Sequence, residues 1–395
     1  MVQDEDSLSR RYISSRANCA NRSVVLVNAL RAAGHDVNVL TSTDSIIDSA
    51  KDYHVPQYVT FFKTYPLVNK TLVNRLRNNF GGAHEAAKKA SKMGPFDVVV
   101  CSTPPLLLTS AAVKIARKNK AKLILDVRDV WPDVAYEMNS FTPGSPYGLF
   151  FECIAKRSYK AADLVVSVTP GKVKKLKSRI VKTRVALVSN GIDTAFTDYE
   201  EDLELIECLR LKEGPICVYV GNIGLAQGLD TILDIAKRRN NVRFLLFGDG
   251  ANKAQLEQRV KNESINNVEF CGKIDGRGVY TVLRHATISY VPLVSSLLRD
   301  SIPTKMYEAL ACGCPVLLAA EGDAVGLLNE SRLGAHAAPE DPESLLIAFD
   351  QLLNHPFSKT ERSAASEWVI ANHSRQNFTK TFVQEIEKLE KNRAQ

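Results

Sequence analysis

Short apolar runs alternate with helical segments along the whole chain. In the first half the runs are DVNVLT from Asp36, FDVVVCST from Phe96, KLILDV from Lys122, LVVSVT from Leu164 and VALVSN from Val185. In the second half they are ICVYV from Ile216, RFLLF from Arg243, VEFCG from Val268, TISYV from Thr287 and PVLLAA from Pro315. Most lack in/out alternation and are rich in Val, Ile and Leu. That is the pattern of strands buried on both faces of a parallel sheet. Segments such as SVVLVNALRAAG and LDTILDIAKRRN supply the crossovers. The acid-rich stretch TAFTDYEEDLELIECLRLKEGP separates the two sets of strands and predicts an interdomain linker near Ala195. The final stretch, NHSRQNFTKTFVQEIEKLEKNRAQ, predicts one long charged helix. The fold class is α/β, with two doubly wound domains over 1–194 and 195–372. A ligand is expected at strand C-terminal ends facing an interdomain cleft.

The length of 395 residues agrees with two domains. No apolar run reaches bilayer length, and the polar start MVQDEDSLSRR does not read as a signal peptide. The eight cysteines are scattered without zinc spacing, which predicts reduced thiols and a cytoplasmic protein. The net charge of +7 clusters in RKNKAK from Arg117 and in KVKKLKSRIVKTR from Lys172 to Arg184. No nucleic-acid motif accompanies these clusters, so no nucleic-acid partner is expected.

Candidate chemistry concentrates in RDSIPTKMYEALACGCPV, Arg299 to Val316. Asp300 and Glu308 have seven residues between them. Pro303 suits the first position of a helix, and Gly313 and Pro315 stop it. Thr304 and Glu308 share a face with Lys305 beside them. Free N–H groups at a helix start make an anion site, so the segment can hold a sugar hydroxyl, a diphosphate and a ribose. An ordinary amphipathic helix with surface charges reads equally well from this stretch alone. Three glycine-containing turns follow three successive strands: GNIGLAQG (Gly221 to Gly228), GDG (Gly248 to Gly250) and GKI (Gly272 to Ile274). Together they suggest a nucleotide lying close to backbone. Neither a dinucleotide fingerprint nor a P-loop is present. Arg128, Asp129 and Trp131 cluster after KLILDV, and STPP (Ser102 to Pro105) borders the same strand ends. Aromatics mixed with Lys63, Lys70, Arg75 and Arg77 between Tyr58 and Phe80 predict an interfacial membrane region, with a core helix as the alternative.

Seven pieces taken in order carry a resemblance: AGHDVNVLTS (33–42), DVRDVWPD (126–133), VSNGID (188–193), VGNIGLAQGLDTI (220–232), FGDG (247–250), NVEFCGKI (267–274) and SIPTKMYEALACGCPVL (301–317). The chain resembles the retaining GT-B glycosyltransferases of family 4, especially enzymes that build surface polysaccharide and lipid-linked glycans. The resemblance implies two Rossmann-like domains, with the C-terminal helix 373–395 packing back on the first. It implies a UDP- or GDP-linked sugar as donor substrate, no cofactor and no metal. Glu308 would contact the ribose and Asp300 the sugar, while Thr304, Lys305 and Arg299 hold the diphosphate. Gly221, Asn222 and Gln227 would line its other side, with Gly248, Asp249 and Lys273 also in the donor site. Arg128 and Asp129 would face the reaction from the first domain. Asp300 replaces a commoner Glu, Asn222 and Gln227 replace commoner cations, and Arg128 replaces a commoner His. The usual glycine-rich acceptor loop near the start is not recognisable, RRYISSR being a poor substitute.

These residues predict hexose transfer with retention to a glycan or polyprenyl-linked acceptor. The protein would be a peripheral visitor to the inner membrane face through Tyr58 to Phe80 and Lys172 to Arg184. A GT-B nucleotide-sugar epimerase and a non-catalytic scaffold of the same fold stay open.

Overall fold

The computed structural model describes residues 17–43, 56–64, 72–137, 140–293 and 298–394. RRYISSR and residues 65–71 of the aromatic–basic segment lie outside them. The chain divides into two compact units, Met1–Ser189 with Thr379–Gln395, and Asn190–Phe378. In the first, β3 (Val98–Thr103), β4 (Lys122–Val127), β5 (Leu164–Ser167) and β6 (Arg184–Leu187) form a parallel sheet in that order. A separate parallel pair joins β1 (Val39–Ser42) to β2 (Val59–Phe62). In the second unit β7 (Ile216–Val220), β8 (Arg243–Phe247), β9 (Val268–Gly272), β10 (Ile288–Pro292), β11 (Val316–Ala319) and β12 (Gly334–Ala337) make one parallel sheet. Its order is β12-β11-β10-β7-β8-β9. The winding reverses between β7 and β10, so the loops leaving those two strands diverge and open a crevice.

Both faces of the second sheet are buried. Ile216, Val218, Leu245, Phe247, Val291, Val316 and Leu318 pack into one core layer, while Cys217, Tyr219, Phe244, Leu246, Ile288, Tyr290 and Leu317 pack into the other. Two-sided burial is why these strands read as unbroken apolar runs. Edge strands depart from that pattern, and β9 at one edge exposes Glu269 and leaves Phe270–Gly272 half-buried. GAHA (β12) sits at the sheet edge and buries Ala335 and Ala337 but exposes His336. VTFF (β2) pairs with β1, half-buried apart from the buried Phe62, so this part of the aromatic–basic segment is a strand.

The acid-rich stretch is not a linker. Thr194–Asp198 is a 3-10 turn and Leu203–Cys208 is a helix capped by Asp202, whose Oδ1 accepts from Leu205 N at 3.1 Å. Asp202 N donates to Thr281 Oγ1 at 2.9 Å, and Arg277 donates to the carbonyls of Glu200 and Glu201, so the stretch is folded onto the second unit. The division falls at Ser189/Asn190 instead. The final charged stretch is one long helix, Arg375–Ala394, as the sequence predicts, and it follows the helix Lys359–His373. Ile192 interrupts them: its N–H donates to His373 O and its carbonyl accepts from Arg375 N, so Ser374 lies extended between.

One ion pair ties the first unit together. Arg22, on helix Ala17–Ala32, donates through Nη2 at 2.8 Å and through Nε at 3.1 Å to Asp126 at the end of β4. Nη1 donates to Ser189 O at 3.0 Å, and Ser102 Oγ donates to Asp126 Oδ2 at 3.0 Å. Both charges are buried, so removing one partner leaves the other uncompensated. In the second unit the loops after β7, β8 and β9 are laced by backbone bonds: Gly221 N to Phe247 O, Ile223 N to Asp249 O and Gly248 N to Gly272 O. Gly248 has φ +138° and a Cβ there would overlap Gly221 O. Its glycine is required by the neighbouring loop.

Asp126→Ala should destabilise the first unit by about 3–5 kcal/mol, whereas the Arg22→Met/Asp126→Leu pair should recover most of that loss. Urea unfolding followed by fluorescence checks this; equal losses in both variants would remove the pair from its structural role. Gly248→Ala should cost clearly more than Gly272→Ala. Gly272, at φ +73° with nothing within 4 Å of its added Cβ, should cost only about 1–2 kcal/mol for its backbone conformation. Thermal melting of both variants ranks them.

Candidate active site

The crevice beside β7 is built around a lysine. Tyr219 is the fourth residue of the buried strand Ile216–Val220, and a buried phenol needs a partner. It finds one by donating to Asn222 O at 2.6 Å, which fixes the first turn of the loop. Lys305 then donates to Tyr219 Oη at 3.1 Å and to Gln227 Oε1 at 3.1 Å, with its Nζ 4.1 Å from the Tyr219 ring centroid. A Cβ on Gly221 would meet Lys305 Nζ at 3.3 Å, so Gly221 leaves the space into which the ammonium fits. Among the described residues Lys305 forms no salt bridge, its contacts being Tyr219 and Gln227. Burial pushes the Lys305 ammonium down to about 7, with Glu308 pulling the other way.

Lys305 stands at the start of helix Thr304–Ala311, which buries Met306, Tyr307, Ala309, Leu310 and Ala311. Pro303 is extended at ψ 137° and caps the helix from outside, so it does not occupy the first helical position. Thr304 opens the helix and is half-buried. Glu308, one turn in, is half-buried; its carboxyl is raised by burial, against the opposing charges of Arg375 and Lys305. Arg375 is held by Asn190 O at 3.3 Å and by Asp193 Oδ2 at 3.6 Å. Asp300 lies half-buried in the turn before the helix. Arg299 is exposed and pairs with Glu321 at 3.3 Å, so its guanidinium is already engaged. Asp249 and Lys273 form an exposed pair at 3.3 Å, and Asp249 Oδ1 accepts from Gly250 N, which with Lys273 holds its carboxyl below the usual range. The second unit thus brings Gly221, Asn222, Gln227, Thr304, Lys305 and Glu308 to one crevice, with Gly248, Asp249 and Lys273 on the adjoining loops. Tyr219, Arg375 and Glu321 were not singled out in the sequence. A tyrosine inside an apolar strand was the available signal for the first.

In the first unit Arg128 Nη2 donates to Pro104 O at 3.2 Å, and Asp129 lies 3.9 Å from Lys172 Nζ. Trp131 is half-buried against the core, its ring 5.4 Å from Phe151 and 6.4 Å from Phe141. Much of the basic run from Lys172 to Arg184 is spoken for. Lys172 is buried, Lys175 pairs with Glu137 at 2.8 Å, Arg179 pairs with Asp133 and Glu152, and Arg184 pairs with Glu385 at 2.8 Å.

Two family models match successive parts of the chain. "Glycosyltransferase Family 4" matches residues 20–196 and "Glycosyl transferases group 1" matches residues 204–367. The Escherichia coli K12 protein WcaI, named for a glycosyl transferase role in colanic acid biosynthesis, is 26% identical over 176 residues, 43% of this chain and 42% of that one. The match therefore spans under half the length of this curated relative. Sucrose-phosphate synthase from Thermosynechococcus elongatus superposes with TM-score 0.76 at 19% identity, covering 94% of this chain and 93% of that one. Anabaena HepE, solved in complex with UDP-glucose, superposes with TM-score 0.69 at 15% identity over 93% and 96% of the two chains. The two models run from the first described helix to the last helix but one, and the likeness of fold spans both units: the chain belongs to the family 4-type glycosyltransferases of the GT-B fold.

Proposed function

We propose that the protein transfers a hexose, with retention, from a nucleotide-diphosphate sugar to a glycan or lipid-linked acceptor in surface polysaccharide synthesis, on the cytoplasmic side of the cell membrane. The observation that carries this is Lys305, a cation held only by neutral groups at a helix start. An anion arriving there meets a charge that no carboxylate has neutralised, together with free N–H groups of the first turn. A diphosphate fits both. Thr304 and the Gly221–Asn222 turn complete its surround. Glu308, one turn deeper, accepts the ribose hydroxyls, and Asp300 takes the sugar. Arg299 contributes less, because Glu321 competes for it. UDP-glucose in the HepE complex supports a donor of this class.

The chemistry asks mainly for positioning. As the sugar–phosphate bond breaks, negative charge grows on the departing diphosphate and Lys305 stabilises it. The departing phosphate oxygen takes the proton of the acceptor hydroxyl as the new bond forms on the same face, so no protein base is required. In this reading Lys305 and the helix start supply the neutralising charge, and no metal takes part.

Incubation with a panel of UDP- and GDP-sugars, read by NMR, tests the reading. Free nucleotide plus a sugar released or transferred with the donor's configuration supports it. An epimerised sugar points to an isomerase, and neither turnover nor nucleotide binding points to a scaffold. Lys305→Met keeps the stem over Tyr219 but removes the charge, and should lower turnover by about 10²–10³.

Proton linkage gives a second check. With Lys305 at about 7 in the free protein, bound diphosphate raises it again. Binding should therefore take up close to one proton at pH 8, and affinity should fall as pH rises through 7. Calorimetry with UDP in buffers of different ionisation enthalpy reads the uptake; no proton exchange in the wild type, or the same exchange in Lys305→Met, would detach the lysine from the diphosphate. For the unliganded protein the sign is opposite. Between pH 7 and the ordinary lysine range the unfolded chain binds the extra proton, so this group favours folding increasingly as pH rises.

A further inference from the structure

Two helices of the first unit present an outward face that the transfer chemistry does not use. On Pro146–Ala161 the exposed residues are Pro146, Tyr147, Leu149, Phe150, Cys153, Lys156, Arg157 and Lys160. Leu149 is 60% exposed, and Tyr147 and Phe150 are just under two-fifths exposed. On Leu72–Ala90 the exposed stripe is Arg77, Phe80, His84 and Lys88, spaced three and four apart. Phe80 is 49% exposed. Its ring lies 5.8 Å from that of Phe150, so the apolar parts of the two faces are continuous.

The charges on this face have one sign. Lys156, Arg157, Lys160 and Lys88 carry no ion pair among the described residues. Glu152, the one acid of its helix, pairs with Arg179 at 3.3 Å, and Glu85, the one acid of the other, is half-buried. Large apolar side chains left in water and rimmed by unpaired cations fit a surface that offers anions at its boundary and hydrocarbon beneath. A lysine or arginine stem can lie along that boundary with its head at the phosphates.

We infer that the outward faces of Leu72–Ala90 and Pro146–Ala161 form a docking surface for an anionic lipid membrane, with Phe80, Leu149 and Phe150 entering the interface and Lys156, Arg157 and Lys160 meeting the headgroups. This site differs from the basic run at Lys172 to Arg184, whose charges largely face acids of their own unit. It stands independently of the donor chemistry.

Flotation of the full chain with vesicles of phosphatidylcholine and phosphatidylglycerol at 70:30 tests it. Binding should occur at low salt, fade as ionic strength rises, and be absent on pure phosphatidylcholine. Leu149→Ser/Phe150→Ser and the triple change K156E/R157E/K160E should each lower the partition coefficient at least ~10-fold. Lys174→Glu/Lys177→Glu, on the other basic run, should leave it within about twofold of wild type. Unchanged melting temperatures show that the variants fold, as expected for exposed positions. Three outcomes overturn the proposal: no flotation at low salt, binding that tracks Lys174 and Lys177 instead, or a concentration-dependent dimer in sedimentation that Leu149→Ser/Phe150→Ser dissolves.

Discussion

The candidate site turns on one half-buried lysine that, among the described residues, has no carboxylate within ion-pair distance. Burying an ammonium is costly, and proteins commonly answer by placing a carboxylate against it. The same sheet shows that solution on its other side: Arg259 is met by Asp230 at 3.2 Å, by Asp234 and by Glu263 at 2.9 Å. Lys305 receives a π face, a phenol oxygen and an amide oxygen. A desolvated cation–π contact is worth about 2 kcal/mol, which holds the side chain in place without cancelling its charge. An incoming anion therefore displaces no counter-ion before it can bind.

That placement reaches back into the sheet. Tyr219 both anchors Lys305 and fixes Asn222, so the cation and the glycine turn are set by one buried side chain. The turn is in turn laced to the loop after β8, and that loop to the one after β9. The three loops are thus tied to one another by backbone bonds. The reversal of strand order between β7 and β10 then brings the helix start of Thr304–Ala311 against this assembly from the other side. Sheet topology, more than any single contact, decides that Lys305 and Gly221 meet.

Much of this was legible in the chain. Strands buried on both faces announce themselves as unbroken Val/Ile/Leu runs, and ICVYV and RFLLF end where the structure ends them. The helix start with its acids, threonine and lysine was also visible, because local spacing defines it. What stayed hidden depends on distant partners. GAHA is too short and small to show a period, VTFF was masked by neighbouring aromatics and cations, and the acid-rich stretch looked like a linker because its caps and contacts at Thr281 and Arg277 are remote in sequence. Arg22 and Asp126, 104 residues apart, gave no local sign of a buried pair. Gly248 and Gly250 were read as room for a ligand, yet a carbonyl of the neighbouring loop stands where each Cβ would go.

The distribution of charge follows the same logic. The densest basic run in the sequence is not the most available one. Asp133, Glu137, Glu152 and Glu385 reach Lys175, Arg179 and Arg184 only through folding, and they convert much of that run into internal ion pairs. Helix Pro146–Ala161 has fewer cations, but its single acid is drawn away to Arg179, and among the described residues its cations have no ion pair. Surface pairs contribute little to stability one by one. Their larger effect here is subtractive, since each pair removes a cation from what an external anion can meet. Availability is a tertiary property, and in both units the cations best placed to meet an anion from outside are those the fold left without an acid.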